Sequence, residues 1–295
     1  LPHFADAGPI TEYCFVFPRV PVRIEHEGAA GFIADVNVAT LYNVGQPYHR
    51  QALDPAGDRS DWFALAPEVV REILREVDPA SADEERRLFR SPFAWVSSPT
   101  YWQQRELFSR VRAGMVDVLE VEESVVALLA EVLARDRSVR RWTEVGQRSR
   151  ELVESVRLHL NRRLGASDGL SEIARAVGVS VFHICRTFRR VGGSSIHAYR
   201  NALRLRQSLE RVAAGDDLLA IALDLGFSSH SHFTASFGRA FGLAPSAARG
   251  LSVGARRQLE RLSTGRIARR ALSRGEFSRQ LSAPLQSDRA NARIQ

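Results

Sequence analysis

The sequence contains no lysine, only two cysteines and no apolar run long enough to cross a membrane. Cys14 and Cys185 are too few for a disulfide framework or a cysteine-rich zinc site. No basic and apolar export signal opens the chain, so we expect a cytoplasmic protein with no membrane partner. Because lysine is absent, all 41 basic residues are arginines, whose planar guanidinium groups suit phosphate contacts.

Charge is distributed unevenly along the chain. Residues 1–150 carry 18 Arg against 23 Asp and Glu, residues 151–250 carry 13 against 8, and residues 251–295 carry 10 against 3. Residues 1–150, the front half, are thus acidic, and residues 151–295, the back half, are basic. This distribution predicts that only the back half binds a polyanion. A merely solvated basic surface is the alternative that charge alone leaves open.

The first ninety residues have the pattern of short strands. Apolar residues alternate with other residues over 20–24 and 32–38, residues 54–61 are rich in turn formers, and residues 62–65 read as another strand. Pro67 then opens a helix whose apolar face holds Val70, Ile73, Leu74 and Val77. Short strands without strand–helix alternation predict a small antiparallel barrel or sandwich.

Two amphipathic helices are predicted to follow the strands. Ser98 and Pro99 have the residue types of a helix start, and the helix continues through Trp102, Leu107, Phe108 and Val111. The second helix spans residues 116–134, with Leu119, Val126, Leu129 and Leu133 on one side. These helices can pack on their own barrel or form a homodimer, and the sequence leaves both open.

The pattern divides the chain into four parts. Residues 1–135 form the strand-rich domain with its helices, and residues 136–149 form a polar linker. Residues 150–250 are helical and basic. Residues 251–295 are rich in Arg and Ser with few large apolar groups, so we expect a disordered tail. The fold class is therefore α+β in front and all-α behind.

An internal repeat lies within residues 170–250. Residues 170–180 align with 218–228 at an offset of 48, and after one inserted residue 188–193 align with 237–242. Each copy has a small residue (Ala174, Ala222), a turn glycine (Gly178, Gly226), a capping serine (Ser180, Ser228) and an apolar pair on the next helix (Ile184 and Phe188, Phe233 and Phe237). This is the arrangement of a helix-turn-helix motif, whose second helix can enter a major groove.

Residues 170–249 resemble the DNA-binding region of AraC/XylS-type transcription regulators. The second copy carries the closer match, IA…LGFSSHSHFTASFGRAFGLAPSAAR, although Ala248 stands where the family usually has an aromatic residue. The resemblance implies an N-terminal cupin-like barrel that senses a small molecule, then dimerisation helices, then two helix-turn-helix motifs that bind double-stranded DNA. It also implies an activator that works with RNA polymerase.

Helical spacing selects the residues of each copy that would face DNA. With Ile184 and Phe188 inward, the first copy presents Phe182, His183, Cys185, Arg186 and Arg189. Arg186 can contact guanine through two hydrogen bonds, and Phe182 can touch a thymine methyl or pack as a half-buried residue. The second copy presents Ser229, His230, Ser231, His232, Thr234 and Ala235, short or polar side chains without an arginine. Arg190 and Arg239 match one another and are assigned to phosphate contacts or to structure.

The histidines of the second copy do not have metal-binding spacing. His230 and His232 are two residues apart, so on a helix they point about 200° from each other. A helical metal pair requires a spacing of four, and no Cys, Asp or Glu lies nearby as a third ligand. We therefore expect no metal and no cofactor here. His232 aligns with His183, which favours a shared place at the edge of the DNA face.

The front domain offers Tyr48, Arg50 and Trp62 as candidate residues for binding an effector whose identity is unknown. A metal-dependent cupin enzyme fused to a DNA-binding module is the main alternative function. It would require a cluster of histidines, and the front half has only His3, His26 and His49. A DNA-alkylation repair regulator would require more cysteines than Cys14 and Cys185. The sequence thus predicts a DNA-binding transcription regulator with no catalytic residue.

Overall fold

The computed structural model describes residues 9–53, 57–84, 87–134, 145–249 and 291–294. The front part contains strands and helices in this order: β1 (Tyr13–Pro18), β2 (Val22–His26), β3 (Phe32–Ala34), β4 (Val38–Tyr42), β5 (Tyr48–Ala52), β6 (Ser60–Leu65), α1 (Pro67–Val77), α2 (Pro79–Ala82), β7 (Phe93–Trp95), α3 (Ser98–Arg112) and α4 (Val118–Ala134). The back part is helical: α5 (Gln147–Arg162), α6 (Leu170–Ala176), α7 (Val181–Gly192), α8 (Ile196–Ala214), α9 (Leu218–Asp224) and α10 (His230–Phe241). A further strand, β8 (Asn291–Ile294), follows.

The described strands form two sheets rather than one closed barrel. The larger sheet has the order β7-β4-β1-β6-β8 and the smaller one β3-β2-β5. Neighbouring strands are antiparallel except β8, which runs parallel to β6. The described strands therefore form no closed barrel, and the cupin-like character of the domain stays a prediction, while the α+β class is confirmed.

A turn at Asp35 explains why the sheets remain separate. One strand was expected over residues 32–38, but the Asp35 carboxylate accepts a hydrogen bond from the Asn37 backbone N–H at 2.9 Å, and the Val38 N–H donates to the Asp35 carbonyl at 3.0 Å. Asp commonly makes turns in this way. The chain thereby leaves the smaller sheet at Ala34 and enters the larger one at Val38.

The aromatic core lies between the larger sheet and the helices. Phe63 stacks on Phe15 with ring centroids 5.0 Å apart and meets Phe108 of α3 at 4.9 Å. Helix α1 buries Val70, Ile73 and Leu74 as expected, although Val77 is only half-buried. The cap of α3 is Ser97, whose hydroxyl accepts from the Thr100 N–H at 3.1 Å, so the predicted capping residue, Ser98, is instead the first residue of the helix.

Helix α4 packs against its own domain. Six apolar residues of its inner face are buried: Val121, Val125, Leu128, Leu129, Val132 and Leu133. Two members of the predicted stripe differ from the expectation, because Leu119 is 63% exposed and Val126 is half-buried. The first turn of α4 leaves Val118 exposed beside Leu119. A homodimer remains a prediction.

The predicted boundaries fall partly outside the described residues. Helix α5 begins at Gln147, inside the segment 136–149 predicted as a linker, while residues 135–144 lie outside the description. Disorder over 251–295 stays a prediction, and within that segment residues 291–294 are described and pair with Trp62 to Leu65 of β6. Residues 250–290 and 295 lie outside the described part. None of the described helices combines the length and the apolar character that a membrane crossing requires.

Candidate nucleic-acid interface

Helices α6 and α7 form the first helix-turn-helix unit. Ile173 and Ala174 of α6 are buried, and Gly178 adopts a φ of +72° in the turn, a conformation that glycine adopts without strain. The Ser180 hydroxyl accepts a hydrogen bond from the His183 backbone N–H at 3.2 Å and caps α7. Ile184 is fully buried, so the predicted inner face of α7 is confirmed.

Helices α9 and α10 repeat this arrangement with one difference. Gly226 has a φ of +74°, and Phe233 and Phe237 are fully buried with ring centroids 5.7 Å apart. The cap of α10 is Ser229, which accepts from the His232 N–H at 3.1 Å, rather than the predicted Ser228. The inserted residue that shifts the repeat lies before the cap, so Ser229 is the true counterpart of Ser180.

The first reading face, meaning the outward side of α7, projects into solvent. Phe182 is 76% exposed, which removes the alternative that it packs as a half-buried residue. His183, Arg186 and Arg189 are exposed, and Cys185 is half-buried. The structure therefore places all the predicted residues on one side of α7, around a central arginine.

The second reading face, on α10, is flatter. His230, Ser231 and Ala235 are exposed, whereas Thr234 is half-buried and its hydroxyl has no hydrogen-bond partner within the described residues. His232 is exposed but held against the turn, since its Nδ1 lies 3.0 Å from the Ser228 hydroxyl and its ring meets Phe227 edge-on at 5.4 Å.

The two matched arginines make different local contacts. Arg190 donates to the Ser149 hydroxyl of α5 at 3.4 Å, and Arg239 donates to the Ser236 hydroxyl of its own helix at 3.0 Å. Both side chains are exposed. Arg157, Arg204 and Arg206 are buried, so they add nothing to the surface charge that the composition of residues 151–250 indicates.

The histidines of the described residues do not converge on a metal site. No group of three His, Cys, Asp or Glu side chains with metal-binding geometry occurs among these residues. In the front domain His26 is buried between the rings of Phe32 and Tyr42, whereas His49 is exposed. His3 lies outside the described part.

A cavity of about 310 Å³ lies between the two sheets of the front domain. Tyr48, Arg50 and Trp62, the three residues proposed from sequence, all line it. Arg50 forms an ion pair with the buried carboxylate of Asp58. Residues that sequence reasoning missed also line the cavity, among them Tyr42, Cys14 and Glu12. Burial raises the pKa of the Cys14 thiol to about 12, so the thiol remains uncharged at neutral pH.

A buried polar junction joins the front domain to the helical domain. Its centre is Arg157 of α5, which is fully buried and donates to Glu154 at 2.7 Å, to the Tyr199 hydroxyl at 2.9 Å and to the Ile33 carbonyl. The Tyr199 hydroxyl in turn donates to the Asp35 carboxylate, which also accepts from the Asn161 amide at 2.8 Å. These contacts connect α5 and α8 to the β3–β4 turn.

Helix α8 contributes further charged contacts to the same domain. Arg206 donates to the Val36 carbonyl at 2.8 Å, to Asn37 at 2.9 Å and to the Val96 carbonyl at 2.7 Å. Near the helix end, Glu210 accepts two hydrogen bonds from Arg19 at 2.8 and 2.6 Å. Breaking one member of such a buried network leaves the others without their partners, at a cost of about 3–5 kcal/mol.

Sequence reasoning did not find the junction, although a signal exists. Arg157 lies four residues after Val153 and three before Leu160, both buried, so helical spacing puts its charge on the apolar face. Arg206 lies three residues after Leu203 and three before Leu209, which are also buried. An arginine flanked by apolar residues at helical spacing on both sides indicates a buried arginine that needs hydrogen-bond partners from another element.

A family model for a helix-turn-helix domain matches residues 173–250. Among solved structures, the chain is similar to a transcriptional regulator with an AraC-type DNA-binding domain from Chromobacterium violaceum, with 23% identity over 36% of this chain and 96% of that chain and a TM-score of 0.34. A DNA-binding transcriptional dual regulator from Escherichia coli K-12 gives 19% identity over 35% and 93%, with a TM-score of 0.33. ToxT from Vibrio cholerae O395 gives 11% identity over 84% and 92%, with a TM-score of 0.35.

Proposed function

We propose that this protein binds specific double-stranded DNA sequences in the cytoplasm and regulates transcription there, because residues 173–250 match a helix-turn-helix family model. The observation that carries the proposal is the pair of capped helices, α7 and α10. Each buries one face on the domain core and leaves the other open to solvent. Such a face fits a major groove.

The roles of the two reading faces differ in this proposal. Arg186 recognises guanine through two hydrogen bonds, and Phe182 and Cys185 contact neighbouring base edges. The second face contributes Ser231, Thr234 and Ala235, which can make shape and van der Waals contacts. Phosphate contacts come from arginines at the rims of both helices: Arg189, Arg190 and Arg239. The first motif therefore contributes more of the sequence discrimination than the second.

Selection from a random pool of double-stranded DNA, with the full-length protein, tests this proposal. We expect one enriched sequence with two recognised segments about one helical turn apart, followed by a specific footprint. Arg186→Ala should relax the preference at one base pair, by about 1–3 kcal/mol. Arg189→Ala, the matched control on the same helix, should weaken all sequences equally and flatten the salt dependence. A pool without enrichment would contradict the function.

A small molecule held between the two sheets is the proposed effector. The cavity volume is at the lower end of the range for ligand sites, and its aromatic walls with one arginine resemble their usual composition. Thermal-shift screening of a compound library should find molecules that raise the unfolding temperature. Trp62→Ala should abolish that rise and leave DNA affinity without the compound unchanged. A hit that stabilises Trp62→Ala equally would place its binding elsewhere.

The buried junction offers a route from cavity to DNA. The proposed effector would favour one of two arrangements of the domains, which requires that it bind one arrangement more tightly. Activation together with RNA polymerase is the outcome that the family resemblance implies. A reporter gene placed behind the selected sequence would distinguish activation from repression.

A further inference from the structure

Backbone atoms of the two helix-turn-helix units approach each other closely at one point. The loop before α6 lies against the turn between α9 and α10, and glycines stand at both sides of the contact. A Cβ at Gly165 would lie 2.2 Å from the Asp224 carbonyl oxygen, and a Cβ at Gly226 would lie 2.5 Å from the Gly165 carbonyl oxygen. No methyl group fits between the two motifs without moving one of them.

Arg204 of α8 bonds to both sides of this contact. Its Nε donates to the Leu164 carbonyl at 2.9 Å and its Nη2 to the Ala166 carbonyl at 2.5 Å, both in the loop before the first motif. Its Nη1 donates to the Gly226 carbonyl at 3.0 Å, in the turn of the second motif. The planar guanidinium fixes three donors relative to one another, so the three carbonyls are held in one geometry.

The surroundings of Arg204 fit a structural cation rather than a DNA contact. The residue is only 8% exposed, and the partners described above are backbone carbonyls. Burial and the nearby Arg200 lower its pKa to about 10, and the side chain still carries its charge at neutral pH. Hydrogen bonds from a charged donor are stronger than those between neutral groups.

Two other contacts of α8 act within single motifs. Arg200 donates to the Asp168 carbonyl at 2.6 Å, next to the start of α6. Arg211 pairs with Asp224 at 2.8 Å at the end of α9. Helix α8 therefore holds each motif separately, and Arg204 is the side chain described here that spans both.

We propose that Arg204 is a positioning residue that sets the distance and angle between the two reading faces, and so the spacing between the two DNA segments that the protein accepts. The proposal rests on the proposed function, because spacing matters only if both faces contact one duplex. A second contact also reaches the second motif, since Phe241 of α10 meets Trp102 of α3 with ring centroids 6.1 Å apart. The test must therefore show that the angle depends on Arg204.

The first measurement uses the selected duplex and versions with one, two or three base pairs inserted between its two segments. Each inserted pair rotates one segment by about 35° relative to the other. The wild-type protein should lose about 30-fold or more in affinity at two inserted pairs, as expected when one motif loses its base contacts. Arg204→Lys, which keeps the charge but not the planar fork, should lose less than about fivefold over the same insertion.

Two further variants complete the comparison. Gly165→Ala pushes the motifs apart while residue 204 remains an arginine, and should flatten the spacing preference in the same way. Arg200→Lys is the matched control, since it changes an arginine one turn earlier on α8 whose described hydrogen bond goes to the Asp168 carbonyl beside the first motif, and it should keep the wild-type spacing profile. Thermal unfolding verifies that each variant is folded.

A second measurement needs no DNA and separates the two proposals. Spin labels are attached to Cys185 and to the cysteine of a Ser231→Cys variant, in a Cys14→Ser background. Pulsed electron paramagnetic resonance then measures the distance between α7 and α10. Arg204→Lys should broaden or shift that distance distribution, and Arg200→Lys should not. Folded Arg204→Lys and Gly165→Ala variants with the wild-type distance and the wild-type spacing profile would overturn the proposal. A wild-type protein that selects no DNA would overturn the proposed function, while the distance still decides whether Arg204 positions the motifs.

Discussion

His26 is a buried histidine at the end of β2, with its ring 4.9 Å from that of Tyr42. Burial lowers its pKa to about 4, and Arg87 acts in the same direction. In the unfolded chain the histidine has a pKa of about 6.5. Between pH 6.5 and 4 the imidazole is therefore mostly protonated in the unfolded chain and mostly neutral in the folded protein. Stability from this residue is therefore complete above pH 6.5 and decreases as the pH falls towards 4.

His26→Phe should remove that acid sensitivity. The phenyl ring can still pack among the neighbouring rings, but it has no nitrogen that can bind a proton. Between pH 6.5 and 4 the free energy of unfolding of the wild type should fall by about 3 kcal/mol more than that of the variant. Urea unfolding at a series of pH values measures this, and the exposed His230→Gln serves as control. Parallel wild-type and His26→Phe profiles would show that His26 is hydrated in the folded protein.

At the scale of elements, the capping serines distinguish two alignments of the repeat. Ser229→Ala should destabilise the protein by about 1 kcal/mol, because the His232 N–H loses its acceptor. Ser228→Ala removes only a contact with the His232 ring and should cost clearly less. Thermal denaturation of both variants measures the difference. Equal losses, or a larger loss for Ser228→Ala, would mean that the helix starts one residue earlier.

Helix α8 presents two different sides 100° apart. Tyr199, Arg206 and Glu210 lie along one stripe and contact the front domain, whereas Arg200, Arg204 and Arg211 lie along the next and contact the two motifs. One rigid helix is thus shared by both domains. A displacement of its first stripe by the front domain necessarily moves the second.

The sequence predicted the elements whose signals are local. Gly178, Gly226 and the buried pair Phe233 and Phe237 followed from turn chemistry and helical spacing, because these rules act over a few residues. The burial of Arg157 did not follow from its residue type, since its partner Ile33 lies 124 residues earlier. The break at Asp35 was missed because alternation continues through it, and only the hydrogen bond to Asn37 shows the turn.

Only some of the residues that line the cavity could be predicted from the sequence. Tyr48, Arg50 and Trp62 were chosen for their residue types near strand ends, and the structure brings them to one space. Tyr42 and Cys14 were missed because their inward direction depends on strand register, in which Cys14 faces Tyr42 across the ladder. Register between distant strands is set by the fold as a whole.

At the scale of the whole molecule, the buried junction should make the two domains unfold together. Asp35→Asn weakens the centre of the junction, because it removes the negative charge that faces Arg157 at 3.8 Å and accepts from Tyr199. We expect a loss of about 3 kcal/mol and two separate unfolding transitions in calorimetry in place of one.

The control is Asp58→Asn, which removes another buried carboxylate paired with an arginine, within the front domain only. It should lower the unfolding temperature while leaving one transition. Two transitions already present in the wild type would contradict a tight junction, and a single transition in Asp35→Asn would mean that apolar contacts suffice to couple the domains.

The junction also imposes an order on biosynthesis. Asp35 and its partner Tyr199 are 164 residues apart, so at ordinary translation rates the tyrosine leaves the ribosome about 8 to 30 s after the aspartate. Until then the β3–β4 turn is exposed to water, because its partners on α5 and α8 are not yet in place. A nascent chain paused within α8 would therefore carry a front domain whose surface at the β3–β4 turn is still uncovered, and chaperones could bind that surface.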